Sequence, residues 1–225
     1  MKQRILVLSV TVCAAGLLVI PVWPRFVGGA ITAPYEDTLR DIARGEQAND
    51  AMLAETETAM RVAREWVDDG ALSLAVGDIR FIGARRAKSA VEQRAALTDS
   101  IAELRNGLRR APARPYAWLQ LARAERARSG ANAPIENYLS LSMRLARWEH
   151  RLVMPRIEIA LGTWAALSPA FKSEMKGQFE RAVDTAPVAL ARATRRSFGL
   201  RTVRQMLAGS PIHLERFTIV YLSPD

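Results

Sequence analysis

From residue 35 onward apolar side chains recur every three or four positions, and most of these runs end at a Pro or a Gly. That spacing marks one face of a 3.6-residue helix, so the pattern predicts an all-helical fold of short amphipathic helices packed on one another. Leu97, Ile101, Leu104 and Leu108 make one stripe, with Asp99, Glu103, Arg105 and Arg109 elsewhere on the wheel, and Pro112 stops it. Pro115 suits the first turn of the next helix, where a missing N–H costs nothing. Trp118, Leu121, Ala122 and Glu125 follow, until Ser129-Gly130 closes the run. Pro134 introduces Tyr138, Leu141, Ser142 and Leu145, and Ile157, Ala160, Leu161, Trp164 and Leu167 form the next face. Ser168-Pro169 reads as a cap followed by a first-turn proline. Phe171, Met175, Phe179, Ala182, Val183 and Ala186 complete the clearest stripe. Nearer the start, Tyr35 to Gly70 reads as two helices broken near Gly45, whereas Leu72 to Ile82, between Gly70 and Gly83, fits either a helix or a strand.

Before this series comes an uncharged apolar run, Ile5 to Val22, preceded by Lys2 and Arg4 and closed by Trp23, Pro24 and Arg25. Its length approaches the roughly 20 residues that cross a hydrocarbon core, and exceeds the roughly 7 to 15 apolar residues of a cleavable signal peptide. The expectation is an uncleaved transmembrane anchor, with cleavage near Gly28-Gly29-Ala30 as the other reading. Cys13, the sole cysteine, then lies mid-span as a small apolar filler, and disulfide logic is silent on the compartment. The basic residues before the span favour a cytoplasmic amino terminus, which in a bacterium places a single-pass protein in the inner membrane with its bulk in the periplasm. The expected organisation is an anchor over residues 1–27, a linker over 28–34, one helical domain over 35–209 and a carboxy-terminal tail over 210–225.

Short helices joined by turns marked with Pro or Gly, at hairpin periods in the mid-thirties, are the sequence form of an alpha solenoid. The stretch from Pro112 to Glu125 resembles the junction between two tetratricopeptide repeats: Pro112 stands where one repeat closes, and Trp118, Leu121 and Ala122 match the first helix of the next. Phe179, Ala182 and Pro187 match the aromatic, small and closing positions of a second helix. Glu125 departs from the repeat, standing where an aromatic is usual. More broadly, Leu97 to Leu207, through residues 140–149 and 153–169, resembles small single-span tetratricopeptide-like proteins associated with bacterial exopolysaccharide or capsule assembly. That resemblance implies an antiparallel helix-hairpin solenoid in an accessory protein beside a polysaccharide polymerase or export component, and it implies no catalytic residues.

His150 and His213 have no second His or Cys at ligand spacing, so no metal is expected. No nucleophile elbow, phosphate loop or paired metal carboxylates appear, and neither an enzyme nor a cofactor is expected. Trp118 and Trp164 share helix faces with aliphatic residues and read as core. Trp148, between Arg147 and Glu149, is equally consistent with an exposed aromatic, and Tyr116 and Tyr138 fit a groove or the core. The formal charge is +9, and arginines crowd residues 109–156 and 192–204. Such a field is either a solvated helix face or an attractor of polyanions such as acidic glycan or anionic lipid. Nucleic acid is disfavoured by the outward topology and by the lack of a DNA-reading motif. The residues expected to bind a partner are Arg123, Arg126, Arg147, Trp148 and Arg151. In the tail, Phe217, Ile219 and Tyr221 alternate with Thr218, Val220 and Leu222, a β-prone run that either packs on the preceding helix or adds a strand to a partner.

The function expected from these features is that of a membrane-anchored, non-enzymatic adaptor facing the periplasm and supporting cell-surface polysaccharide assembly or export. The alternatives are an assembly factor of another envelope machine, for secretion or division, and a glycan-modifying enzyme, which would need converging carboxylates.

Overall fold

The computed structural model describes residues 20, 22–44, 48–130 and 134–223, and these are all-helical, with no strand among them. The expected span Ile5–Val22 lies outside the described residues except at Ile20 and Val22. Among the described residues no helix is long and apolar enough to cross a membrane. The chain divides into two compact units, Met1–Pro112 and Ala113–Asp225, where the sequence pattern led us to expect one helical domain over 35–209. The division falls at Pro112, the stop signal that ends the Leu97 to Leu108 stripe.

In the first unit, residues 22–32 are helical and run through a 3-10 turn, Ala33–Tyr35, into α1, Glu36–Arg44. The stretch 28–34, expected to be a linker, is therefore helical. Pro34 stands at the start of the 3-10 turn, where it withdraws no needed N–H. Gly28 is buried, and a Cβ there would lie 3.0 Å from the Val67 side chain, so the glycine serves close packing and does not break the helix. Ile20, Val22, Trp23 and Phe26 on this first stretch are exposed.

Three longer helices follow: α2, Asp50–Trp66; α3, Gly70–Arg86; and α4, Ala90–Arg110. Each starts on a side-chain cap, with Asn49 accepting from the Met52 N–H at 2.7 Å, Asp69 from Ala71 at 2.8 Å and Ser89 from Glu92 at 3.2 Å. Leu72 to Ile82 resolves as helix, because Ser73, Leu74, Val76, Gly77 and Ile79 are buried at helical spacing. Helices α3 and α4 meet through glycine. Leu104 packs on Gly77, Leu74 on Gly107, and the backbones of Gly70 and Gly107 touch. Some arginines in this unit pair with acids on neighbouring helices: Arg64 with Glu103 at 2.8 Å, and Arg80 with Glu57 at 3.0 Å and Asp99 at 3.5 Å.

The second unit contains α5, Pro115–Ser129; α6, Ile135–Leu145; α7, His150–Gly162; a 3-10 turn, Trp164–Ala166; α8, Pro169–Thr185; α9, Pro187–Ser197; α10, Leu200–Leu207; and α11, Pro211–Leu222. Gly130 closes α5 at φ 62°, and Ser168 caps α8 by accepting from the Phe171 N–H at 3.1 Å. One core joins the unit, centred on Leu119, Leu139, Val153, Ile157, Met175, Phe179, Leu190, Val203 and Phe217. Trp118 is only partly buried, stacking on Tyr138 with ring centroids 6.1 Å apart, while Ala117 and Leu119 take the buried positions. Trp164 sets its edge against Phe179 at 5.9 Å and is also partly buried. Pro187 stands at the first position of α9. The β-prone tail is helical: Phe217 is fully buried, and Tyr221, one turn on, lies tilted against it with ring centroids 5.5 Å apart, so tertiary packing overrides local β preference.

Candidate functional site

Helix α6 ends at Leu145 with Ala146 as its cap, and the chain turns through Arg147, Trp148 and Glu149 into α7. The last carbonyls of a helix have no partner within it and need outside donors. Here Arg156 of α7, whose side chain is fully buried, supplements the longer backbone bonds that Ser142 accepts from the Ala146 N–H at 3.3 Å and Ala146 from the Glu149 N–H at 3.4 Å. Its guanidinium donates from Nη2 to the Ser142 carbonyl at 2.6 Å and from Nη1 to the carbonyls of Ala146 at 2.9 Å and Arg147 at 3.4 Å. Nε donates to Ser142 Oγ at 3.1 Å, and Nη1 also reaches Gln178 Oε1 at 3.5 Å. Gln178, on α8, donates to the Arg147 carbonyl at 2.7 Å, and Ser142 Oγ donates to the Pro115 carbonyl at 2.8 Å. A planar fork of five N–H donors can serve so many acceptors where an ammonium could not. Burial pushes the Arg156 pKa well below the ordinary guanidinium range, to about 10, against the opposing pull of the Glu149 charge.

The network holds the backbone of the turn from inside and leaves its side chains outside. Trp148 is 55% exposed. One edge of its indole rests on Gly177 of α8, where an added Cβ would lie 3.2 Å from the ring, and the Arg147 guanidinium carbon stands 5.2 Å from its centroid. Arg144, in the last turn of α6, and Arg151, in the first turn of α7, are exposed on either side of the turn. A flat aromatic fixed at its base, with a cation on its face and further guanidiniums near it, has the chemistry of an interface anchor for an acidic or aromatic partner surface.

Of the five residues expected to bind a partner, Arg147, Trp148 and Arg151 come together at this turn. Arg123 and Arg126 do not join them. Arg123 is half-buried and donates to Gln120 Oε1 of its own helix at 3.0 Å. Arg126 lays its guanidinium on Gly162, where it fills the space a Cβ would need. Gly162 ends α7 and Arg151 begins it, about 16 Å apart along the axis at 1.5 Å per residue. A cation at the carboxy-terminal end of a helix is favourable there, which gives Arg126 a structural role. Arg156 was counted in the surface arginine field, yet it belongs to the interior. The signal was in the sequence, since position 156 falls on the same helical face as Leu152, Val153, Ile157 and Ala160.

Two clefts lie elsewhere in the second unit. A cleft of about 340 Å³ is lined by Trp164, Lys172, Ser173, Lys176, Gln205 and Met206, and Lys172 Nζ stands 5.7 Å from the Trp164 ring centre. A second, of about 240 Å³, borders Glu136, whose carboxylate accepts from both the Ser168 N–H and its hydroxyl at 2.7 Å and so anchors the cap of α8. Among the described residues no three His, Cys, Asp or Glu side chains are grouped to hold a metal. His150 lies 3.3 Å from Glu149 and His213 3.4 Å from Asp184.

Compared with known proteins, the chain matches no family model, no characterised protein and no solved structure.

Proposed function

We propose that this protein is a membrane-anchored, non-enzymatic adaptor whose second helical unit, built as a tetratricopeptide-like solenoid, holds a component of the cell-surface polysaccharide assembly or export machinery on the periplasmic face of a bacterial inner membrane. The observation that carries the reading is the Arg147–Trp148 turn. An exposed tryptophan in one fixed orientation is an unusual use of a large apolar side chain in a free monomer, and Trp and Arg dominate the energetics of protein interfaces. The Ile5–Val22 run supports the anchor, and the exposed Trp23 and Phe26 just after it have the character of residues that settle at a membrane interface. The polysaccharide setting rests on the sequence resemblance alone.

The test is affinity capture of the full-length protein from gently solubilised native membranes, comparing wild type with Trp148→Ala. Enrichment of a polysaccharide polymerase, glycosyltransferase or export component that Trp148→Ala reduces by about 30-fold, as for loss of a 2 kcal/mol interface anchor, is the expected result. Enrichment of secretion or division proteins would keep the adaptor and remove the polysaccharide setting. Partners retained undiminished by Trp148→Ala would remove this turn as the docking site. Turnover of a surface glycan by the purified protein would overturn the adaptor reading.

A further inference from the structure

Helix α9 ends in an unusual way. Its left-handed closing position, φ 53°, is occupied by Phe198, while Gly199, the residue suited to that conformation, stands one place later with φ −86°. The Phe198 ring is 95% exposed, so no packing inside the chain compensates the strained backbone. A bulky residue kept in a glycine conformation with its side chain in solvent points to a contact made outside the molecule.

The surroundings say what kind of contact. Between Asp184 and Glu215 the chain has no acidic residue, and it carries Arg192, Arg195, Arg196, Arg201 and Arg204. Arg196 pairs with Glu158 at 2.9 Å, and Arg195 donates to the carbonyls of Tyr221 at 2.6 Å and Ser223 at 3.0 Å. Arg201 and Arg204 are exposed and lie one turn apart on α10, opposite the buried Val203 and Leu207 and on the same face as the exposed Gln205 and Ala208. A lone apolar ring at the tip of a turn, beside a helix face of guanidiniums, matches a bilayer surface: the ring enters the acyl boundary while the cations meet anionic headgroups. A soluble acidic glycan would satisfy the charges but would leave the protruding ring without cover.

We propose that the Phe198 turn and the Arg201–Arg204 face of α10 form a membrane-docking edge that holds the second unit against an anionic lipid surface. The contact is separate from the Trp148 turn and does not depend on which partner that turn holds.

The test uses the full-length chain with Cys13→Ser and Gln205→Cys, labelled at position 205 with an environment-sensitive dye and reconstituted in vesicles of phosphatidylcholine alone or mixed with phosphatidylglycerol. The expected result is a blue-shifted emission, quenched by brominated lipid, in the anionic vesicles only. Arg201→Ala with Arg204→Ala should lower the docked-to-undocked ratio about 25-fold, at about five-fold per basic residue near an anionic surface. Phe198→Ala should also lower it, with unchanged helicity by circular dichroism in every variant. Equal emission in the two vesicle types, or a response that the double arginine variant retains, overturns the proposal. A shift induced by soluble polygalacturonate and not by vesicles assigns the edge to acidic glycan and likewise overturns it.

Discussion

Arg156 brings a full positive charge into the interior of the second unit with carbonyl and hydroxyl oxygens as its hydrogen-bond acceptors. Replacing it by Met keeps much of the volume but leaves the carbonyls of Ser142 and Ala146 only their longer backbone bonds, from the Ala146 N–H at 3.3 Å and the Glu149 N–H at 3.4 Å. With hydrogen bonds from a charged group worth about 1.5–3 kcal/mol each, Arg156→Met should destabilise the protein by about 2–5 kcal/mol, read by chemical denaturation. Arg156→Lys keeps the charge but loses the fork, and should fall well short of wild type if geometry is what matters. The pH dependence separates the charge from the geometry. The folded-state pKa of about 10 lies below the ordinary guanidinium range, so well below pH 10 the group is protonated in both states and contributes no slope. Above that the folded state sheds its proton first, and the contribution of Arg156 to stability rises with pH. The difference in stability between wild type and Arg156→Met should therefore stay flat from about pH 6 to 9. Phe198 makes the opposite residue-scale case. Glycine removes the left-handed strain and forfeits no internal packing, so Phe198→Gly should raise stability by about 1 kcal/mol in thermal unfolding while weakening attachment to anionic vesicles. A loss of stability would mean that the ring packs inside the chain after all.

At the scale of elements, the contact between α3 and α4 is set by glycine. A Cβ at position 107 would stand 2.7 Å from Leu74 and 2.8 Å from the Gly70 carbonyl, a backbone atom that cannot swing aside. Gly107→Ala should cost about 1–3 kcal/mol through overpacking. Gly83, exposed in the interior of α3 with nothing near its absent side chain, is the matched control, and Gly83→Ala should gain about 0.5–1 kcal/mol. The same glycines explain why Leu72 to Ile82 was ambiguous in the sequence: a helix that packs through Gly70 and Gly77 shows fewer large apolar residues on its buried face. Helix boundaries were legible wherever local chemistry sets them, as at Pro115, Gly130 and the Ser168-Pro169 cap. They were illegible where distant packing decides. Thr218, Ile219 and Val220 favour a strand, yet Phe217 and Tyr221 meet the core only if the segment is helical. The candidate turn was partly legible, because Trp148 between charged neighbours signals exposure. By residue type the buried arginine that holds it matches the surface arginines around it, and only its place on the face of Leu152, Val153, Ile157 and Ala160 sets it apart.

Across the whole molecule the charge is unevenly shared. Residues 113–225 carry 17 of the 32 basic side chains and only 9 of the 23 acidic ones, hence eight of the nine net positive charges. In the first unit, cross-helix ion pairs such as Arg64–Glu103 and Arg80–Glu57 use basic residues to join α2, α3 and α4. In the second unit pairs such as Arg196–Glu158 and Arg216–Asp184 do the same, but the acids are too few to match the bases, and exposed guanidiniums such as Arg144 and Arg151 face solvent. If partner capture depends on this local field, position should matter more than total charge. Arg144→Ala with Arg151→Ala should weaken capture by about ten-fold, as expected when interface arginines are truncated. Arg85→Ala with Arg94→Ala removes the same formal charge from exposed positions of the first unit and should leave capture unchanged. Both effects should be measured at low and at physiological salt, because the Debye length shortens from about 30 Å at 0.01 M to about 8 Å at 0.15 M. A specific loss that persists at the higher salt identifies short-range contacts beside Trp148. Equal losses in the two double variants, both vanishing with salt, would mean that the partner responds only to net charge and that the turn held by Arg156 plays no part in choosing it.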